Sequence, residues 1–252
     1  MAERIKLEVV TAERRPDLLD EMSAVIDNAW PEFMLHDACA NQYWDQLYQL
    51  FPKYQFAIID TYSLSLAAVG NAIPLSWHGK WQDLPEKGFD WAIEAGFQDM
   101  QAGREPTILC GLSISVHKAY RGHGISRETT LAMMNLARTC GFSSLVAPIR
   151  PNQKHLYPLT PMDDYLKWKD PAGLPFDPWL RTLIRLGGTI EKPCSESIRV
   201  SGTVQEWQDW CGLILPADGE YIVPEALVPL RVSSEKNLGE YIEPNVWIVY
   251  SL

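Results

Sequence analysis

The chain has 252 residues, 46% of them hydrophobic and 21% charged, with 32 acidic against 22 basic side chains and a formal net charge of −10. That length suits one large domain with a substantial core, and the negative balance argues against non-specific nucleic-acid binding and toward attraction of cations. No apolar run reaches bilayer length and no signal-peptide pattern opens the chain, so a membrane span is not expected.

Cys39, Cys110, Cys140, Cys194 and Cys211 are odd in number and lack any C-x-x-C pair. They read as reduced thiols of a cytoplasmic protein. The five histidines are equally scattered, which predicts no structural metal site. No repeat or long linker divides the chain, so one domain over 1–252 is expected.

Ile5 to Val10 alternates like an opening strand. Pro16 suits a first helical turn, and Leu18, Leu19, Met22, Val25 and Ile26 then fall on one helical face. Tyr43, Trp44, Leu47, Leu50 and Phe51 predict a second helix. Tyr54 to Asp60 and Ser63 to Val69 read as two strands joined near Thr61. Trp77, His78 and Trp81 fall in a loop, and Phe89 to Met100 is helical with Trp91, Ile93, Ala95 and Phe97 apolar.

Thr107 to Val116 is a β-like run, and the segment after Ser126 is helical to about Thr139. Between them lies His117-Lys118-Ala119-Tyr120-Arg121-Gly122-His123-Gly124-Ile125-Ser126. A glycine-bearing turn between a strand and a helix N-terminus leaves several N–H groups facing one concavity, where the helix dipole also favours an anion. Gly122 and Gly124 free that turn of Cβ atoms and allow a phosphate to approach. The predicted ligand is a pyrophosphate, held around Arg121, Gly122, His123, Gly124, Ile125 and Ser126.

These residues resemble the GNAT superfamily, the N-acyltransferases that use acyl-coenzyme A. The family's turn, Arg/Gln-x-x-Gly-x-Gly/Ala, places Arg121, Gly124 and Ser126 at its three defining positions. Ser126 departs from the Gly/Ala rule by one small hydroxyl residue. The resemblance covers Thr107 to Pro151 by motif and the rest by element order. It implies an α/β (α+β) fold: a mixed, twisted sheet splayed at the acyl-coenzyme A site and flanked by helices. It also implies acetyl-coenzyme A or coenzyme A as co-substrate, with main-chain groups of Ile114, Ser115 and Val116 on pantetheine.

Ser143 to Ile149 forms the next strand, ending in Arg150-Pro151-Asn152. By the resemblance Asn152 sits near the pantetheine arm; as a residue following Pro it equally reads as a turn former. About 154–176 is an insertion rich in Pro, Asp and aromatic residues, read as a substrate-side loop or as packing over a surface groove. Asp177 and Pro178 then cap and start a helix that Gly187-Gly188 stops.

From about 189 to 252 the chain is β-rich. Thr189 to Glu191 and Ser197 to Val200 fit two strand edges, Val204 to Trp210 a short helix, Gly219 to Pro224 a turn into a strand, and Val246 to Val249 a closing strand. Trp207, Trp210 and Trp247 read as core anchors or as an aromatic cage for a cation.

Acyl transfer needs a base for the ammonium, donors for the oxyanion and an acid for the leaving thiolate. The family's usual tyrosine acid, counted back from Gly187, lands on Leu183, and no carboxylate lies within Thr107 to Val116. Tyr157 is the substitute acid. His117, ahead of His78 and His155, is the candidate base, and Asp163 and Asp164 could attract a cationic amine. The expected reaction is acetyl transfer to a small-molecule amine by direct attack in a ternary complex. Alternatives are S-acyl transfer to a carrier-protein thiol and a non-catalytic acyl-coenzyme A sensor. The sequence leaves the oligomeric state open.

Overall fold

A computed structural model describes residues 6–252. The chain runs through β1 (Leu7–Thr11), α1 (Leu19–Asp27), α2 (Ala38–Leu50), β2 (Gln55–Asp60), β3 (Ser65–Leu75), α3 (Gly88–Gln101), β4 (Ile108–Val116), α4 (Ile125–Thr139) and β5 (Ser144–Ile149). It continues through α5 (Met162–Tyr165), α6 (Pro178–Arg185), β6 (Thr189–Gly202), α7 (Val204–Cys211), β7 (Gly219–Tyr221), β8 (Leu230–Ser233) and β9 (Leu238–Ser251). Ile5, the expected start of the first strand, lies outside the described residues.

One mixed sheet in the order β1-β2-β3-β4-β5-β9-β8-β7 holds these strands, and β6 also pairs with β9. All neighbours are antiparallel except β4 and β5. Leu18, Met22, Val25 and Ile26 of the first helical segment pack on Ala57, Ile59 and Val69. On the same face α2 and α3 bury Leu47, Ile93 and Phe97 against Ile73, Ile108 and Cys110. The other face carries α4 and α6, whose Ile125, Met133, Met134, Leu180 and Leu183 meet Leu109, Leu145 and Ile248.

The parallel pair is short. β4 and β5 share only Leu109↔Leu145 and Cys110↔Val146, so the two strands part beyond Cys110. On its other side β4 stays paired with β3, but Asn71 faces Ser113 while Ala72 faces Gly111. Leu112 is therefore an extra residue, a bulge of the kind that bends a strand and raises its local twist. β5 in turn pairs six residues with β9, Ser144↔Ser251 through Ile149↔Val246, and a buried Arg150–Glu243 ion pair with two 3.0 Å contacts extends that attachment.

Several elements differ from expectation. β3 continues past Val69 to Leu75, because both of its faces are covered and polar alternation disappears. The two strand edges at Thr189–Glu191 and Ser197–Val200 are one strand, β6, whose register on β9 shifts between Cys194 and Ile198. Within the offset the Glu86 carboxylate accepts from the N–H and hydroxyl of Ser195. The closing strand starts at Leu238 rather than Val246.

The insertion is not a loop over a pocket. Tyr157, Tyr165, Trp168 and Phe176 stack on one another with ring centroids 4.8 to 6.1 Å apart and join the core beneath α4 and α6. Lys154 anchors the segment: fully buried, its ammonium donates to the carbonyls of Tyr157 (2.8 Å) and Leu227 (2.7 Å). Asp177 caps α6 through Trp179 and Leu180 N–H and also accepts from Tyr165 OH, as its place before Pro178 predicts.

Trp207 and Trp247 are fully buried and donate their indole N–H to Gly239 and Pro85 carbonyls; Trp210 is half-buried and stacks on His36. They are packing anchors rather than a cage. At the α2–α3 contact the carboxyl groups of Asp37 and Asp90 lie close to each other. Burial and the Asp37 charge push Asp90 up to about 8, while Lys87 pulls the other way. The nearby Cys39 thiol on α2 and Glu94 on α3 complete the titratable surroundings, and the Arg199 backbone N–H donates to Asp90.

Two outcomes follow from this packing. Trp247→Ala removes a fully enclosed indole and should cost about 3–5 kcal/mol in urea unfolding. Because Asp90 is raised above the ordinary carboxyl range, the folded state binds the extra proton. Wild-type stability should then fall as pH rises from the ordinary carboxyl range toward 8, and Asp90→Asn should flatten that slope.

Candidate functional site

Two adjoining cavities lie in and beside the gap where β4 and β5 part. The first, about 540 Å³, runs between the strands and past the N-terminus of α4. Its walls include Gly111 to Ile114 and Val116 of β4, Ala147 to Ile149 of β5, and Tyr120, Arg121, Gly122, Gly124, Ile125 and Ser126 of the turn. The second, about 550 Å³, lies between α1, α2 and the sheet. Trp30, Phe89, Ser113 and Ile198 line both, so the cavities meet there.

The turn is built as its sequence requires. Gly122 and Gly124 take φ of 82° and 77°, the left-handed region that glycine enters without strain. A Cβ on either would meet no protein atom within 4 Å; the backbone conformation calls for glycine, and the open space is available to a ligand. The N–H groups of Gly122, Gly124, Ile125 and Ser126 find no acceptor among the described residues, and they stand at the positive end of the fifteen-residue α4. Tyr120 fixes the turn from behind: its hydroxyl bonds Asp60 (3.1 Å) and Ser63 (2.8 Å) of the β2–β3 hairpin.

Most cofactor-side expectations meet at this cleft. Ile114, Val116, Arg121, Gly122, Gly124, Ile125, Ser126 and the exposed Asn152 all line it. Ser115 and His123 do not. The Ser115 side chain is buried with its Oγ unpaired, and the exposed His123 ring bonds the Arg121 carbonyl at 3.1 Å.

The two catalytic candidates fall elsewhere. Tyr157 sits in the aromatic cluster of the insertion, packed against the core and outside the lining of this cleft. His117 is exposed and uses Nδ1 to accept the Ala119 N–H at 3.3 Å, so its ring closes the short turn before Arg121. Neither lines either of these two cavities. Asp163 and Asp164 are exposed on α5, the latter paired with Lys167, and they too lie away from the cleft.

The junction holds a residue that the sequence reading missed. Ser113 Oγ donates to Asn71 Oδ1 at 2.9 Å. The assignment is forced: Gln55 spends its NH2 on the Phe51 and Ala72 carbonyls, leaving Gln55 Oε1 for Asn71 Nδ2, which also donates to Tyr48 OH. Asn71 Oδ1 is thus the acceptor, and the Ser113 lone pairs remain open at the place where the cavities join. Only the fold could reveal this, since a serine in a strand carries no sequence signature. Across the cleft, Arg150 and Asn245 are held by Glu243, which also accepts from Tyr241 at 2.6 Å.

No protein-family model matches the chain. It is 29% identical over 271 residues to the arginine N-acetyltransferase avaD of Aspergillus versicolor, covering 96% of this chain and 93% of that protein. Among solved structures it resembles the loading GNATL domain of CurA from Lyngbya majuscula, with TM-score 0.63 and 15% identity over 98% of both chains. It also resembles the GphF GNAT-like decarboxylase in complex with isobutyryl-CoA, with TM-score 0.56 and 14% identity over 98% of both chains. Over nearly its whole length the chain is thus similar in sequence to an acetyltransferase, and its splayed sheet has the fold of GNAT-like structures.

Proposed function

We propose that the protein transfers an acetyl group from acetyl-coenzyme A to the amine of a small molecule, by direct attack within a ternary complex. The observation that carries this reading is the junction of two cavities at Ser113, one ending in unpaired N–H groups at a helix N-terminus and the other open to a second ligand. In this reading the pyrophosphate lies on the N–H groups of Gly122, Gly124, Ile125 and Ser126 beside Arg121, whose charge complements it. The pantetheine arm follows the β4 edge that β5 has left, passing Asn152, toward the junction. That edge supplies main-chain donors for the arm and for the oxyanion.

The acceptor enters through the second cavity. The ammonium first gives one proton to solvent; its neutral nitrogen then attacks the thioester carbonyl carbon, the tetrahedral adduct collapses by breaking the C–S bond, and the proton that the adduct nitrogen releases passes through solvent to the departing thiolate. Ser113 positions the nucleophile: with its own hydrogen held by Asn71, its oxygen accepts an N–H of the amine and aligns the remaining lone pair. A carrier-protein thiol is the less favoured acceptor. Carrier proteins are acidic, and the second cavity is lined by Asp27, Asp37 and Asp45 with no basic side chain.

Calorimetric titration with coenzyme A tests the cofactor half. Gly124→Val, strained at φ 77°, should weaken binding about tenfold or more with the fold retained; unchanged affinity would remove the turn from the site. Ser113→Ala should lower kcat about tenfold while leaving coenzyme A affinity in place. An unaltered kcat would remove Ser113 from the reaction.

A further inference from the structure

Among the described residues, two basic ones line the first cavity: Arg121 in the turn, and Arg150 directly after β5. Val146, four residues before Arg150, packs in the α2–α3 core, while Leu145 packs on the α4 side. Side chains alternate along a strand, so Arg150 projects toward the α2–α3 face. Its contacts agree. It bonds Glu243, whose Cα partner on β6 is Ile198, and Ile198 lines both cavities. The guanidinium therefore stands where the first cavity meets the second, on the wall across from Ser113.

A guanidinium carries five N–H donors and keeps its proton. Glu243 takes the Nε hydrogen with both oxygens at 3.0 Å, and the Glu225 carbonyl takes one Nη2 hydrogen. The nearby Tyr241 hydroxyl has a single lone pair left, because it donates to Glu243 and accepts from the Leu227 N–H. At least two donors thus stay without a partner among the described residues. Glu243 and Tyr241 are fully buried behind Arg150, whose side chain is 19% exposed, so the free donors face the cleft. Held at Nε and Nη2, the group is fixed in place before any ligand arrives.

The pairing with Glu243 decides what those donors suit. A compensated guanidinium has hydrogen bonds to give but little net charge to neutralise. That fits charge which appears only during turnover better than it fits a permanent anion. In acetyl transfer such charge appears on sulfur as the C–S bond breaks. The cleft lining offers no free tyrosine hydroxyl to meet it: Tyr120 is committed to Asp60 and Ser63, and Tyr157 lies in the insertion.

We propose that Arg150 is a catalytic residue acting on the leaving group: its free Nη hydrogens bond the sulfur as the C–S electron pair moves onto it, so that coenzyme A departs as a thiolate. Arg150 keeps its own protons, and the thiolate later gains, through solvent, the proton that the adduct nitrogen releases. The assignment rests on the acetyl-transfer reading, which brings the sulfur to the junction of the cavities.

The test needs no acceptor. The thiol of coenzyme A bound to the protein is titrated by the ultraviolet absorbance of its thiolate, with the complex of desulfo-coenzyme A, which lacks the sulfur, as the blank. The bound thiol should ionise about one pH unit or more below the thiol of free coenzyme A in the same buffer. Arg150→Gln made together with Glu243→Gln removes the ion pair as a unit and strands no buried charge. That variant should lose the shift while binding desulfo-coenzyme A about as tightly as the wild type. Glu243→Gln alone leaves the guanidinium in place and should keep the shift. An unshifted thiol in the wild-type complex, a shift that survives the double change, or its loss in Glu243→Gln alone would overturn the assignment. Failure of the wild type to bind either coenzyme A or desulfo-coenzyme A would instead overturn the acetyl-transfer reading.

Discussion

The structure turns on the failure of two neighbouring strands to stay paired. β4 and β5 exchange partners over two residues and then separate, and the wedge that results holds the larger part of the cleft lined by the glycine-bearing turn. Two features enforce the separation. The extra residue Leu112 bends β4 toward β3, and the six-residue pairing with β9, reinforced by Arg150–Glu243, holds β5 to the opposite half of the sheet. In the interior of a sheet, unpaired edge groups are a liability; here they face a cleft where a ligand can meet them.

That wedge also explains the placement of the polar groups. Gln55, Asn71 and Ser113 form a satisfied network on one side, and Glu243, Tyr241, Asn245 and Arg150 form another on the other side. Satisfied networks of this kind rigidify their members, so each wall of the cleft is held in place by bonds that do not involve a ligand. The acids lining the second cavity, Asp27, Asp37 and Asp45, form no ion pair among the described residues.

The glycine-bearing turn was legible because its chemistry is local. A strand, a pair of glycines and a helix start occupy a dozen consecutive residues, and the helix from Ile125 to Thr139 follows its apolar spacing. Asp177-Pro178 was legible for the same reason. The catalytic candidates were not. Tyr157 and His117 stand near the cleft in sequence, but an aromatic cluster takes one and a turn takes the other. Ser113 and Asp37 are the reverse: ordinary residues in a strand and at a helix cap, 76 positions apart in the chain, brought to one cavity by the packing of α2 on the sheet. Strand lengths at β3, β6 and β9 were underestimated because register offsets and two-sided burial erase the alternation that marks a half-buried strand.

The long strand β9 carries a consequence for how the molecule assembles. β5 gains six partners from β9 and two from β4, and those six lie roughly a hundred positions later in the chain. During synthesis the first helices and β1 to β4 can collapse early, yet the far wall of the cleft has almost nothing to dock on until residues 246–251 emerge. Until then β5 and the apolar insertion behind it expose strand edge and aromatic surface, the stage at which a chain is most prone to misassociate. Completion of the cleft's far wall therefore waits for β9.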